Sequence, residues 1–312
     1  MVSSYLPLFA LAIVFVFLTL GSLLLGRKAL TYDEPQHYRY GEQIFELNSD
    51  RFDDSKMPIS VLNVVASKLA ERVVGDRLDS IWQIMSIGRI STIVFSLGLG
   101  LLCFVWAKSL YGALAGLVTF GLYVIEPNIV AHSRLITTDI FAAGTITLTL
   151  FLFWRFTESP SLGRAALAAL ALGLAQIAKY TGLLLYPTLI LLTLIRHWPW
   201  IASRLRSRAY GNLWHGFLVF VGYGLVFAIL SIVVINVGFL FNDTLAPFGS
   251  FSYRSDEFRL IQSSSGLMSA LPVPVPYPYL EGLDWVLFHE RTGIGYGNVY
   301  LLGALKEAEG FP

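Results

Sequence analysis

Four short stretches of the sequence carry side chains that can move protons or hold anions. The first is Thr31-Tyr32-Asp33-Glu34-Pro35-Gln36-His37, with Arg39 just beyond it. The second is Asp53-Asp54-Ser55-Lys56-Met57-Pro58. The third is His132-Ser133-Arg134, followed by Thr137-Thr138-Asp139, and the fourth is Lys179. A carboxylate that takes a proton from an attacking hydroxyl, with cations that hold a departing phosphate, is what transfer of a group from a lipid phosphate requires. Each stretch also has a plainer reading. Asp139 or Thr138 suits a helix N-cap, and Lys179 can reach headgroups by snorkelling. Lys56 and Arg39 can pair with Asp53, Asp54 or Glu42 on a solvated face. His132 can be a satisfied polar residue at a helix end. No spacing resembles a structural metal site; at most the acids hold one divalent cation.

The elements that must position these residues are membrane spans. The chain has 312 residues, 55% hydrophobic and 14% charged, with a mean hydropathy of +0.64; soluble domains carry about 25% charged residues. A net charge of +1 gives no reason to expect a nucleic-acid partner. The single Cys103 has no partner for an intrachain disulfide. Uncharged stretches give seven spans: Met1–Gly26, Ile90–Ala107, Ser109–Ile125, Ile140–Trp154, Ala165–Ala178, Tyr180–Ile195 and Gly216–Asn242. The first lacks a basic leader and a clear cleavage site and is read as a retained span. The fifth and sixth are short and meet at Lys179-Tyr180-Thr181-Gly182, either as one long helix with a buried lysine or as two helices joined by a tight turn. The loop holding Arg196, Arg204, Arg206 and Arg208 has no acid, which makes it cytoplasmic. Lys108, Arg155 and Arg164 agree with that orientation; Arg27 and Lys28 argue against it. All the chemistry-bearing stretches then face outward, together with everything after Asn242.

Two outward segments are sizeable. In residues 27–88, the stretch Pro58–Val74 has Ile59, Leu62, Val65, Ala66, Leu69 and Val73 at helical spacing. It reads as an amphipathic helix along the membrane surface, or equally as a helix packed on the ends of the spans. In residues 243–312, alternating prolines make Pro272–Tyr279 extended. Gly293-Ile294-Gly295-Tyr296-Gly297 reads as a loop, since no strand and helix flank it as a dinucleotide fingerprint would need. This segment is expected to lead into further C-terminal spans.

Taken in order, the stretches resemble a known family: the GT-C glycosyltransferases that use lipid-phosphate sugars, and among them family 39. That group contains the protein O-mannosyltransferases and the bacterial aminoarabinose transferases of lipid A. The resemblance rests on Asp33-Glu34 with Arg39-Tyr40-Gly41-Glu42, and on Lys56-Met57-Pro58. It rests also on Glu126-Pro127-Asn128 followed by Ala131-His132-Ser133-Arg134-Leu135 and Thr137-Thr138-Asp139, and on Ala178-Lys179-Tyr180-Thr181-Gly182 before Pro187. Tyr300-Leu301-Leu302-Gly303 adds to it. Where the family often shows His-Pro-Pro-Leu, this chain has Lys56-Met57-Pro58-Ile59.

The resemblance implies an all-α, polytopic integral membrane protein, a GT-C-like helical bundle with an outward amphipathic helix and loops. It implies sugar transfer from a polyprenyl or dolichyl phosphate to a protein, lipid or glycan acceptor, on the outer face of a membrane such as a bacterial inner membrane. Asp33 matches the family's catalytic aspartate. Glu34 and Asp139 are further catalytic candidates, and His37, Arg39, Lys56, His132, Arg134 and Lys179 are candidates for substrate binding. The rival expectations are a transporter or lipid flippase, which would show mid-membrane charges and repeated halves, and a non-catalytic subunit of a membrane complex.

Overall fold

The structure is a computed structural model. It describes residues 11–19, 29–48, 55–74, 81–292, 299–301 and 303–306. The acids Asp53 and Asp54, the basic pair Arg27-Lys28, most of the first span and the Gly293–Gly297 loop lie outside the described residues.

The fold is helical. Residues 11–19 form α1, and Glu34–Phe45 form α2. A 3₁₀ turn, Pro58–Ser60, leads into α3 (Val61–Val74). Then come α4 (Ile81–Tyr111), α5 (Ala113–Ile125), the short α6 (Pro127–His132), α7 (Asp139–Glu158), α8 (Leu162–Ala178), α9 (Leu185–Arg206) and α10 (Tyr210–Gly238). Beyond them lie α11 (Asp256–Ser264), α12 (Gly266–Ala270), α13 (Tyr277–Thr292) and one antiparallel hairpin of β1 (Val299–Leu301) and β2 (Ala304–Lys306). Among the described residues, four helical stretches are long and apolar enough to cross a membrane: Gln83–Tyr111, Asp139–Glu158, Tyr180–Arg206 and Tyr210–Gly238. The expected all-α, polytopic membrane class therefore holds. Ala113–Ile125 and Leu162–Ala178 are shorter apolar helices.

The chain divides into two compact units, one of Met1–Asn48 with Met57–Val234 and the other of Ser49–Lys56 with Ile235–Pro312. In the first, α4 and α5 are separated by Gly112 alone, whose φ of +89° most side chains disfavour. The alanine-rich face of α8 packs Ala168, Leu172 and Ala175 against Phe153 of α7 and Leu185 and Leu189 of α9. Small residues let the backbones approach, which is how helices associate where lipid removes the hydrophobic drive. Thr145, Thr147 and Thr149 return their hydroxyls to carbonyls one turn back, each at 2.7 Å, so α7 carries them without open polar groups.

The junction at Lys179 resolves as two helices. α8 ends at Ala178, Lys179 is extended (φ −164°, ψ 146°), and a 3₁₀ turn, Tyr180–Leu184, leads into α9. Gly182 allows it, because a Cβ there would lie 2.6 Å from the Ala175 carbonyl oxygen. The buried Gln176 amide locks the turn by donating to the Gly182 carbonyl at 2.8 Å.

Helix α3 follows the expected period, with an inverted interior face. Leu62, Val65, Leu69 and Val73 are exposed, while Asn63, Val64 and Ser67 are buried. Asn63 donates to the Gly88 carbonyl (2.9 Å) and the Thr92 hydroxyl (2.7 Å) of α4, and Ser67 donates to the Ile84 carbonyl (3.1 Å).

In the second unit, α10 ends in a compact turn. Leu240, Phe241, Asp243 and Leu245 all have left-handed φ values between +50° and +67°. The buried Asn236 braces the turn by donating to the Pro274 carbonyl at 2.8 Å and accepting from the Thr244 hydroxyl. The alternating prolines predict extension through Tyr279. The structure corrects its end: Tyr277, Pro278 and Tyr279 form the first turn of α13, where a proline's missing N–H leaves nothing unpaired.

Candidate active site

The first loop is built on Glu34. Its carboxylate and the Arg89 guanidinium are fully buried. Arg89 Nε donates to Oε1 at 2.8 Å and Nη2 to Oε2 at 2.7 Å. The Thr31 backbone N–H (2.8 Å) and hydroxyl (3.1 Å) donate to Oε2, and the Ile136 N–H donates to Oε1 at 3.0 Å. Arg89 Nη2 also donates to the Ala29 carbonyl at 3.1 Å. One carboxylate thus ties together the entry to α2, the N-terminal part of α4 and the segment between α6 and α7. Burial pushes its pKa up, but the bond from Arg89 and those from the Thr31 and Ile136 N–H groups outweigh burial and hold it below the ordinary carboxylate range. A carboxylate so fully engaged suits bracing the loop more directly than proton transfer.

Asp33, one residue earlier, is exposed at the N-cap position of α2. The brace fixes its backbone. Arg39, two turns of α2 further on, is also exposed. His37 is buried, its Nδ1 within 3.4 Å of the Ser60 hydroxyl. That position serves the packing of α2 on the 3₁₀ turn more directly than it serves a ligand.

The second group forms where α7 begins and α8 ends. Asp139 is the first residue of α7, and its side chain accepts from Lys179 Nζ at 2.8 Å. His132 Nδ1 lies 3.4 Å from the other carboxylate oxygen, within ion-pair reach when protonated but not aligned as a hydrogen bond. All three side chains keep roughly two fifths of their surface exposed, so they are open to a ligand. Arg134, between His132 and Asp139, is buried, and burial lowers its pKa. Its Nε has no hydrogen-bond partner among the described residues, an arrangement that favours an arriving anion. Glu126 starts this segment by capping α6, accepting from the Ile129 N–H at 2.6 Å. Lys56 is buried and belongs to the second unit.

Among the described residues, no three His, Cys, Asp or Glu side chains converge to hold a metal ion.

The residue that sequence reasoning missed is Arg89. It immediately precedes the uncharged run taken as the second span, and a lone arginine beside such a run is a signal that a buried partner is needed.

Apolar helices of spanning length, with acids and cations grouped at helix ends, define an integral membrane protein with a polar site at the ends of its spans. Residues 77–235, about half of the chain, match the family model described as dolichyl-phosphate-mannose-protein mannosyltransferase. The chain belongs to that family, which has the GT-C fold, and it is a membrane glycosyltransferase of the mannosyltransferase type. The matched residues include Arg89, His132, Arg134, Asp139 and Lys179; Asp33 and Lys56 precede them. No curated protein and no solved structure matches the chain.

Proposed function

We propose that the enzyme takes a sugar from a polyprenyl or dolichyl phosphate on the non-cytoplasmic face and transfers it, with inversion, to a hydroxyl or amine of a protein, lipid or glycan. The observation that carries this reading is the bond from the Ile136 N–H to Glu34. It joins the loop that presents Asp33 to the segment running through Arg134 to Asp139, so that an acid and several cations can serve one substrate.

In the proposed step the acceptor's lone pair attacks the anomeric carbon, and the bond from that carbon to the phosphate oxygen breaks. The acceptor's proton passes to the Asp33 carboxylate, and the lipid phosphate leaves with the bonding electrons. Lys179 and Arg134 meet the charge that develops on it. Asp139 holds Lys179 in place. The assignment of Arg39 and Lys56 to the same phosphate rests on their sequence motifs, and the bacterial inner membrane rests on resemblance to the bacterial members. The outward orientation rests on the acid-free arginine loop after Arg196.

The test is transfer of a radiolabelled sugar from polyprenyl phosphate to extracted acceptor by Asp33→Asn, with protein level and donor binding measured alongside. Loss of a general base costs about 10²–10⁴-fold, and donor binding should survive. Near-normal transfer by well-expressed Asp33→Asn would remove the assignment.

A further inference from the structure

The second unit carries an apolar surface that sugar transfer does not explain. Leu260 and Ile261 of α11, Leu267 and Met268 of α12, and Leu271 just beyond are 46–74% exposed. Between Arg259 and Glu281 the sequence holds no charged residue and no histidine. The polar side chains of this helical pair are satisfied by its own backbone and by neighbouring carbonyls, Ser263, Ser264 and Ser265 while still exposed. Ser263 donates to the Leu260 carbonyl (3.2 Å) and Ser264 to the Ile261 carbonyl (2.7 Å). Gln262 donates to the carbonyls of Gly249 (3.1 Å) and Phe251 (2.9 Å). The hydroxyls of Ser255 and Ser265 cap the two helices. Exposed apolar side chains, with the intervening hydroxyls bonded back to the helix itself, are what contact with lipid requires.

The same unit includes the C-terminal end of α10, which is a span by length and composition. Val237 near the end of α10, and Phe241 and Leu245 just past it, are each more than half exposed and continue one apolar surface. Leu245 N–H donates to the Val273 carbonyl (2.8 Å), Val273 N–H to the Ala246 carbonyl (3.1 Å) and Phe248 N–H to the Leu271 carbonyl (2.9 Å). The base of the helical pair is thereby pinned to the exit of the span.

We propose that α11 and α12 form a membrane-dipping hairpin, whose apolar edge sits in the headgroup and upper acyl region of the leaflet that the C-terminal end of α10 reaches. Interfacial helices bury their apolar faces about 5–10 Å into that region. The occupant of the surface is lipid, and the hairpin holds the segment between α10 and α13 against the bilayer.

The test places an environment-sensitive fluorophore on Leu267→Cys, and separately on Met268→Cys, in the full chain reconstituted in phosphatidylcholine nanodiscs. The signal of labelled Cys103 is measured on the unsubstituted protein and subtracted. Asp256→Cys, on the charged first turn of α11, is the aqueous control. At both hairpin sites the emission should be blue-shifted relative to Asp256→Cys. Headgroup-proximal spin-labelled lipid should quench it several-fold more strongly, and aqueous iodide several-fold more weakly. Iodide-accessible, lipid-insensitive probes at both sites would overturn the proposal. So would a Leu267→Cys disulfide between two copies without lipid quenching, which would make the surface a contact between chains.

Discussion

Glu34 and Arg89, fifty-five positions apart in the sequence, form a two-pronged ion pair from which water is excluded. Breaking a buried pair by removing one partner costs about 3–5 kcal/mol, because the other charge is left buried and uncompensated. Glu34→Gln and Arg89→Gln should each lower thermal stability in detergent by about that amount. Glu34→Gln combined with Arg89→Gln should cost less than the sum of the two single changes. Additive losses in a double-mutant cycle would show that the pair does not act as a unit.

The same pair sets an acid limit. The folded-state pKa of Glu34 lies below its unfolded value, so its stabilisation is fully present above the ordinary carboxylate range and is lost as pH falls through the depressed folded value. Wild-type stability should therefore drop on acidification in that low range. In Glu34→Gln this component of the drop should be missing, as read from melting temperatures across an acid pH series.

Lys179 is held by Asp139 yet remains open to solvent. If it grips the phosphate, Lys179→Ala should weaken donor binding by roughly tenfold to a hundredfold, the worth of a charge-assisted contact of about 1.5–3 kcal/mol. Acceptor affinity should change little. The half-exposed ion pair itself adds about 0–1 kcal/mol to stability, so the melting temperature should barely move. Titration of polyprenyl phosphate in nanodiscs separates the two effects, and unchanged donor affinity would remove Lys179 from the site.

The orientation is open to direct labelling. In a Cys103→Ala background, Asp256→Cys should react with a membrane-impermeant thiol reagent in intact cells, whereas Ser207→Cys should react only after permeabilisation. The reverse pattern would turn the protein over and place the Asp33 loop in the cytoplasm.

The sequence carries the helical frame but not the contacts between distant segments. Among the described residues, four uncharged runs fall in helices long and apolar enough to cross a membrane, while those at Ala113–Ile125 and Leu162–Ala178 fall in shorter apolar helices. The arginine beside Ile90 is visible, but its partner is not, because nothing local in Arg89 points to Glu34. The period of α3 is readable, yet its inner face is set by Asn63 and Ser67 bonding to α4, and a period alone does not say which side meets lipid. The break at Lys179 stays ambiguous in sequence because Gln176 and Gly182 look ordinary until the turn brings them together. At Pro278 the expectation of extension overlooks that a proline early in a helix fits its first turn.

The Ile136 N–H reaches Glu34 across 102 positions of chain, and that separation imposes a timetable on biogenesis. Glu34 and Arg89 are both made long before Ile136 leaves the ribosome, so the brace closes only after α4, α5 and α6 have been synthesised. Until then the nascent protein holds a carboxylate lacking one of its final donors, and any release of the chain before residue 136 leaves it that way. The brace thus gains its last donor only once residue 136 has been made, and the loop that carries Asp33 is tied to the segment before α7 from that point on.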